Sequence, residues 1–330
     1  MSASVEVDGP FFEDLPAGRV FDDVPAVTLT DGLAAAHHAI VGGRFRLARD
    51  QHLARRVTGR AVVSPALVWD VAIGQSTVVT ERVVANLFYR GLVLHRLPAI
   101  GDTLRSVTSI VGARPASPRP DRPARGLVTM RIRTVDQEGR TVLDFLRCAL
   151  IPARDALAAP KPSDDEAEAA ASQPALTGLI QGWDLAAFRA SSAGPHFDAL
   201  TTGTTYRITG GDVVSSAPEL ARLTMNLASV HHDGTRGERL VYGGHTIGLA
   251  TAQLTRAFPG IVTIVGWESC DHTGPVREGD TLHSSITVGE RTALAAGGGL
   301  VNLAVRVAAT PAAGGTAADV LDWRLVALFA

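Results

Sequence analysis

Asn226, His231, His232 and Asp233 follow one apolar helical pattern, and after a short polar loop Arg239, Tyr242, Gly243, Gly244 and His245 open a second. An imidazole can both give and take a proton near neutrality. Backbone amides at the start of a helix, reinforced by its dipole, hold developing negative charge. The pairing suits proton transfer next to a stabilised anion. A lone loop histidine is more often a structural hydrogen-bonding group, but the spacing from Asn226 and the glycine pair downstream turn the reading of His231 toward catalysis. His232 is expected to face elsewhere, Asp233 either to brace the loop or to touch substrate, and His245 to line the pocket or to bond across an interface.

Composition limits what surrounds these residues. With 330 residues, 46% of them hydrophobic, and a formal charge of -2, the chain can fill one large core or two medium ones. Neither sign of charge dominates and no Lys/Arg-rich run stands out, which argues against a nucleic-acid partner. No leader pattern and no long apolar run are present, so no membrane span and a cytoplasmic location are expected. Cys148 and Cys270 lie far apart in strand-like segments and read as small buried side chains. No metal is expected, because neither His-Glu-x-x-His nor paired cysteines occur. His37, His38 and His52 read as ordinary surface or packing residues.

The elements that must position the site are legible in outline. A helix is predicted over Asp31 to Val41, capped by Thr30 or Asp31 and stopped by Gly42 and Gly43. A polar, Arg-rich stretch spans Arg44 to Arg60, and a buried helix runs from Pro65 to about Val79. Four strands are predicted: Val83 to Leu97, Thr103 to Ala113, Leu127 to Val135 and Thr141 to Pro152. The third alternates, with Val128, Met130 and Ile132 on one face. Asp136 to Gly139 forms a turn, and Arg114 to Gly126, rich in Pro and Arg, reads as an exposed hairpin loop.

The pattern then starts again. Gly279 to Leu282 repeats Gly101 to Leu104 letter for letter, and Phe197 to Gly203 echoes Phe12 to Gly18 at nearly the same offset along the chain. The domains are read as residues 1–152, an Ala/Pro/acidic linker over 153–176, and residues 177–330 with the histidine motif. One long helix followed by several antiparallel strands implies an α+β unit, a curved sheet wrapped around a helix. Two units joined edge to edge would hide their edge strands, with a ligand along the interface.

The opening Phe-x-Asp-Leu-x-x-Gly, the Gly-Asp-Thr-Leu after a long strand, and the His-x-Asp loop leading into a Gly-rich helix start resemble the MaoC-like (R)-specific enoyl-CoA hydratase/dehydratase family. Within it, Asn226 to Asp233 followed by Tyr242 to His245 is most similar to the two-hotdog mesaconyl-CoA hydratases, or β-methylmalyl-CoA dehydratases. The resemblance implies a double hotdog, a hydro-lyase acting on short branched or dicarboxylic 2-enoyl-CoA thioesters, and no cofactor apart from the CoA of the substrate. A hotdog thioesterase and a silent acyl-CoA-binding protein are the competing readings, and assembly into homo-oligomers stays open.

The resemblance also distributes roles. His231 falls on the catalytic histidine, Asp233 on the acid two residues later, and Gly244 on the amide donor for the thioester oxygen, where glycine allows close approach. Asn226 stands where relatives carry an acid. A neutral amide can hold a water but cannot take its proton. Tyr242, Gly243 and His245 complete the substrate-side set. CoA phosphates would need cations, for which Arg236 and Arg239, and Arg44, Arg46 and Arg49 from the opposite copy, are the candidates. The first copy has no histidine in the corresponding loop and is expected to keep the shape without the chemistry.

Overall fold

The computed structural model describes residues 4–5, 7–118, 122–155, 173–235 and 237–330, with backbone alone for 173–175. The first half runs β1 (Val20–Phe21), β2 (Val27–Thr28), α1 (Asp31–Val41), α2 (Arg46–Arg49), α3 (Gln51–Thr58), α4 (Pro65–Gln75), β3 (Ala85–Leu94), β4 (Thr103–Pro115), β5 (Arg125–Val135) and β6 (Thr141–Pro152). The second runs α5 (Gln173–Gly178), α6 (Leu185–Ala190), β7 (Thr205–Arg207), β8 (Asp212–Val213), α7 (Ala217–Leu223), α8 (Gly243–Ala257), β9 (Ile261–His272), β10 (Thr281–Ala293), β11 (Gly299–Thr310) and β12 (Ala318–Phe329). Most of the predicted linker, 156–172, and part of the predicted hairpin loop, 119–121, lie outside the described residues.

All strands join one antiparallel sheet in the order β1-β4-β5-β6-β3-β9-β12-β11-β10-β7, with β2 on β4 and β8 on β10. The halves meet where β3 pairs with β9, so each supplies the other's edge partner. Every residue of α4 is buried, as are twelve of the fifteen in α8, because each helix is the core that its sheet wraps. On β5 the buried face carries Val128, Met130 and Ile132 as the alternation requires. Trp69 of α4 packs edge-on against Trp267 and Trp323, with centroids 4.9 and 6.3 Å away, tying the first helix to the second half's strands.

The repeated Gly-Asp-Thr-Leu has a physical purpose. Asp102 accepts the amide of Ala99 (2.8 Å) and Asp280 that of Arg277 (2.8 Å), fixing the turn before each long strand. The following leucine carbonyl accepts a buried glutamine from the central helix, Gln75 to Leu104 (3.2 Å) and Gln253 to Leu282 (2.8 Å). These pairs set α4 on α8 with one constant shift, which carries Gln75 onto Gln253 and Asp102 onto Asp280. Strand pairing keeps the same shift: Tyr89 faces Arg147 as Trp267 faces Leu325.

Local structure departs from expectation in two places. Residues 44–60 fold into α2 and α3, because Leu47, Leu53, Ala54 and Val57 turn inward and Asp50 caps α3 through the amide of Leu53 (2.9 Å). The Pro65 helix ends at Gln75 and tightens into a 3₁₀ turn over Ser76–Val79.

Candidate active site

The loop that carries His231 belongs to the second half but rests on the first. A Cβ on Gly74 of α4 would lie 1.7 Å from the Thr224 carbonyl oxygen, so glycine there lets the loop settle on the helix. The Leu227 amide donates to Thr77 Oγ1 (2.8 Å) and the Ser229 amide to the Glu81 carbonyl (2.9 Å). Asn226 is buried, and its Oδ1 accepts the Ala228 amide (2.9 Å) while its carbonyl accepts His232 Nε2 (2.6 Å). Asp233 accepts the Thr235 amide through Oδ1 (2.8 Å), bracing the loop. Polar groups thus fix the loop from within and from the opposite half.

His231 and the start of α8 open into one cavity of about 300 Å³ between the halves. The second half lines it with His231, Tyr242, Gly243, Thr246 and His272, and the first half with Asn86, Tyr89 and Arg147. His231 Nδ1 donates to the Leu240 carbonyl (3.0 Å), leaving Nε2 as the nitrogen available to a ligand. Burial pushes its pKa down to about 4, with the Leu240 bond opposing the shift and the neighbouring His232 ring and Arg147 guanidinium adding to it. The imidazole is therefore neutral at physiological pH. His272, held down to about 4 by burial and by Arg147 and His231, is neutral too, and its Nε2 has no hydrogen-bond partner among the described residues.

No side chain caps α8, and Gly243 and Gly244 occupy its first two positions, where amides lack intrahelical acceptors. Gly243 lines the cavity, and a Cβ there would come within 2.6 Å of the His272 ring. The space next to Gly244 is filled by protein: a Cβ would meet Asp70 Oδ1 at 2.2 Å and the Tyr242 ring at 2.4 Å. The close approach expected at Gly244 is thus available at Gly243, while Gly244 makes room for Asp70. Fully buried Asp70 accepts Tyr242 Oη (3.2 Å) and bonds His37 Nε2 (2.8 Å). His37 is accordingly a member of the network behind the site.

The remaining candidates are dispersed. His245 is fully buried, neither ring nitrogen is bonded among the described residues, it is not among the cavity-lining residues, and it is held down to about 4 by burial. Asn226 is also absent from the lining; its side-chain oxygen is turned to its own loop. Arg239 pairs with Glu278 (2.6 Å), and Arg236 lies outside the described residues. Arg44, expected at the substrate entrance, is a correction: its amide donates to Thr255 Oγ1 (3.0 Å), twelve residues along α8 from Gly243 and so about 18 Å from the cavity end. Arg46 and Arg49 are held nearby by the carbonyls of Pro259 and Gly43.

Sequence reasoning did not name Arg147, Asn86 or His272; the resemblance implied only that a dicarboxylic acyl group would need one more cation, which an arginine of the first half could supply. Arg147 lies on the inward phase of β6 with Phe145 and Ala149, so a cation on an apolar face was the available signal. Its Nε donates to Asn86 Oδ1 (2.6 Å) and its Nη1 to Ser76 Oγ (2.8 Å). Among the described residues no cluster of His, Cys, Asp and Glu could hold a metal, and no helix is long and apolar enough to cross a membrane.

The chain is 30% identical over 286 residues to a mesaconyl-CoA hydratase of Cereibacter sphaeroides, covering 84% of this chain and 82% of that one. It is 27% identical over 316 residues to a β-methylmalyl-CoA dehydratase of Chloroflexus aurantiacus, covering 92% and 88%. Among solved structures, a conserved hypothetical protein of double hotdog fold from Mycobacterium tuberculosis is 51% identical with a TM-score of 0.89, covering 98% of this chain and 99% of that one. A protein described as a MaoC domain dehydratase from Chloroflexus aurantiacus is 25% identical with a TM-score of 0.83, covering 99% of both chains. No family model matches. Similarity runs along nearly the whole length of these relatives, and the chain belongs to the MaoC-like hydratase/dehydratase family in its double hotdog form.

Proposed function

We propose that the protein reversibly hydrates a short branched or dicarboxylic 2-enoyl-CoA thioester, of the kind named in its mesaconyl-CoA and β-methylmalyl-CoA relatives. The observation that carries this reading is the shared cavity. A neutral imidazole and the uncapped start of α8 face the same small space, walled by both halves.

Hydration proceeds from that geometry. The thioester oxygen sits at the amide of Gly243, at the uncapped start of α8, which stabilises the enolate as charge develops. His231 Nε2 takes a proton from water while the water oxygen bonds to the β-carbon. The resulting imidazolium returns that proton to the α-carbon, so one water is added and the histidine is regenerated. Dehydration is the reverse. The steps balance with water alone and call for no cofactor. Asn226 and Asp233 act as positioning residues that hold the His231 loop. The CoA nucleotide lies outside the chamber, with Arg239 as a candidate cation.

Incubation with crotonyl-CoA and mesaconyl-CoA tests the reading. Loss of the conjugated enoyl absorbance with no free thiol, and a product heavier by one water, is the expected result. Release of free CoA would establish a thioesterase instead, and binding without conversion an acyl-CoA carrier.

A further inference from the structure

Among the described residues, Arg147 is a buried cation without a counterion. It is 3% exposed, its two bonded partners, Asn86 and Ser76, are neutral, and it forms no ion pair among the described residues. A guanidinium cannot shed its proton, and burying one unpaired is costly. The fold does not require it there. The shift that carries Gln75 onto Gln253 places Leu325 opposite Arg147, Ile264 opposite Asn86 and Leu254 opposite Ser76. Those three are buried hydrocarbon, 1%, 1% and 0% exposed. The same architecture is therefore stable with an apolar cluster where the cavity half carries Arg, Asn and Ser.

We propose that Arg147, held by Asn86 and Ser76, receives a carboxylate on the acyl chain, which makes the substrate the CoA monothioester of an unsaturated dicarboxylic acid. This assignment rests on the hydratase reading and narrows it. Two bonds fix the guanidinium plane, and Nη2 makes no hydrogen bond among the described residues, which leaves a fork edge suited to a planar carboxylate. The thioester oxygen is served by the Gly243 amide, and the pantetheine arm keeps the CoA phosphates outside a chamber of about 300 Å³. A second anion on the acyl group is what remains to neutralise Arg147. Its arrival would also relieve the charge that helps hold His231 and His272 below their ordinary range, making His231 a stronger base when the correct substrate is bound.

Three proteins, the wild type, Arg147→Leu and Arg147→Lys, are assayed with mesaconyl-CoA and crotonyl-CoA. The wild type is expected to favour the dicarboxylic ester. Arg147→Leu, which installs the residue of the matching half, lowers the mesaconyl-to-crotonyl ratio of kcat/KM by about 100-fold or more, and Arg147→Lys recovers part of it. An equal loss on both esters, or an unchanged ratio, overturns the assignment. Competition by the unreactive pair succinyl-CoA and butyryl-CoA on wild type reads binding without any variant. Succinyl-CoA tighter by about tenfold or more supports the proposal, and equal affinity defeats it even if Arg147→Leu does not fold. Hydration of crotonyl-CoA without preference for a carboxylate removes Arg147's role alone, whereas release of free CoA removes the hydratase reading.

Discussion

Helices α4 and α8 hold matching places in the two halves, yet their N-terminal ends are finished in opposite ways. Ser64 caps α4 through the Ala66 amide (3.3 Å), and Pro65 at the first position has no N–H to offer. At the matching positions α8 has Tyr242, with no side-chain cap bond, and Gly243. Further along, Val68 matches Thr246, and the strand position of Leu94 matches His272. One end is closed with hydrocarbon and a cap, while the other is left polar, uncapped and open. The duplicated copy therefore kept the packing function of its helix, and its strands lend Asn86, Tyr89 and Arg147 to the neighbour's cavity. The first half thus supplies a wall for the cavity at the second half's helix.

The contrast between the two ends is tested most severely at His231. Replacing it with Ala should lower kcat by roughly 1000-fold while the fold persists, because general acid–base groups contribute on that scale. Turnover within a few-fold of wild type would move the chemistry to His272 or elsewhere. A second change grafts the closed finish onto the open helix. Gly243→Pro removes an amide donor, and its ring crowds His272, yet proline is tolerated at a first helical position. A loss of about 100-fold in kcat with retained circular dichroism is expected. Unaltered activity would show that the amide is not used.

A smaller effect should come from behind the site. Tyr242→Phe removes the bond to buried Asp70 and frees the residue just before Gly243. Denaturant unfolding should show a cost of about 1–3 kcal/mol, with kcat/KM reduced by about tenfold. A stability loss without any kinetic change would confine this network to packing.

Several of these features could be read from the chain and others could not, for identifiable reasons. The helix Asp31–Val41, the strand Thr141–Pro152 and the repeated Gly-Asp-Thr-Leu are local patterns, so spacing and caps exposed them. His231 and the glycine pair stood out because they are neighbours in sequence. Arg147 and Asn86 reach the site only through the fold, by the pairing of β3 with β6 and with β9 across the halves. The helices of 44–60 were hidden because arginines recur through the stretch while Phe45, Leu47, Leu53, Ala54 and Val57 do the packing. Asn226 was expected at the reacting water, but the turn it forms with Ala228 depends on backbone geometry that spacing does not reveal.

The proposed chemistry depends on His231 being neutral, and so able to act as a base, beside an asparagine that cannot. The most direct measurement is kcat/KM for the hydrated enoyl-CoA from pH 8 down to pH 4.5. A histidine held down to about 4 stays unprotonated across most of this range, so the rate should remain nearly level to about pH 5.5 and decline only toward the acid end. An acid limb centred near pH 6.5, the ordinary histidine value, would show that the catalytic imidazole is not the buried one described here.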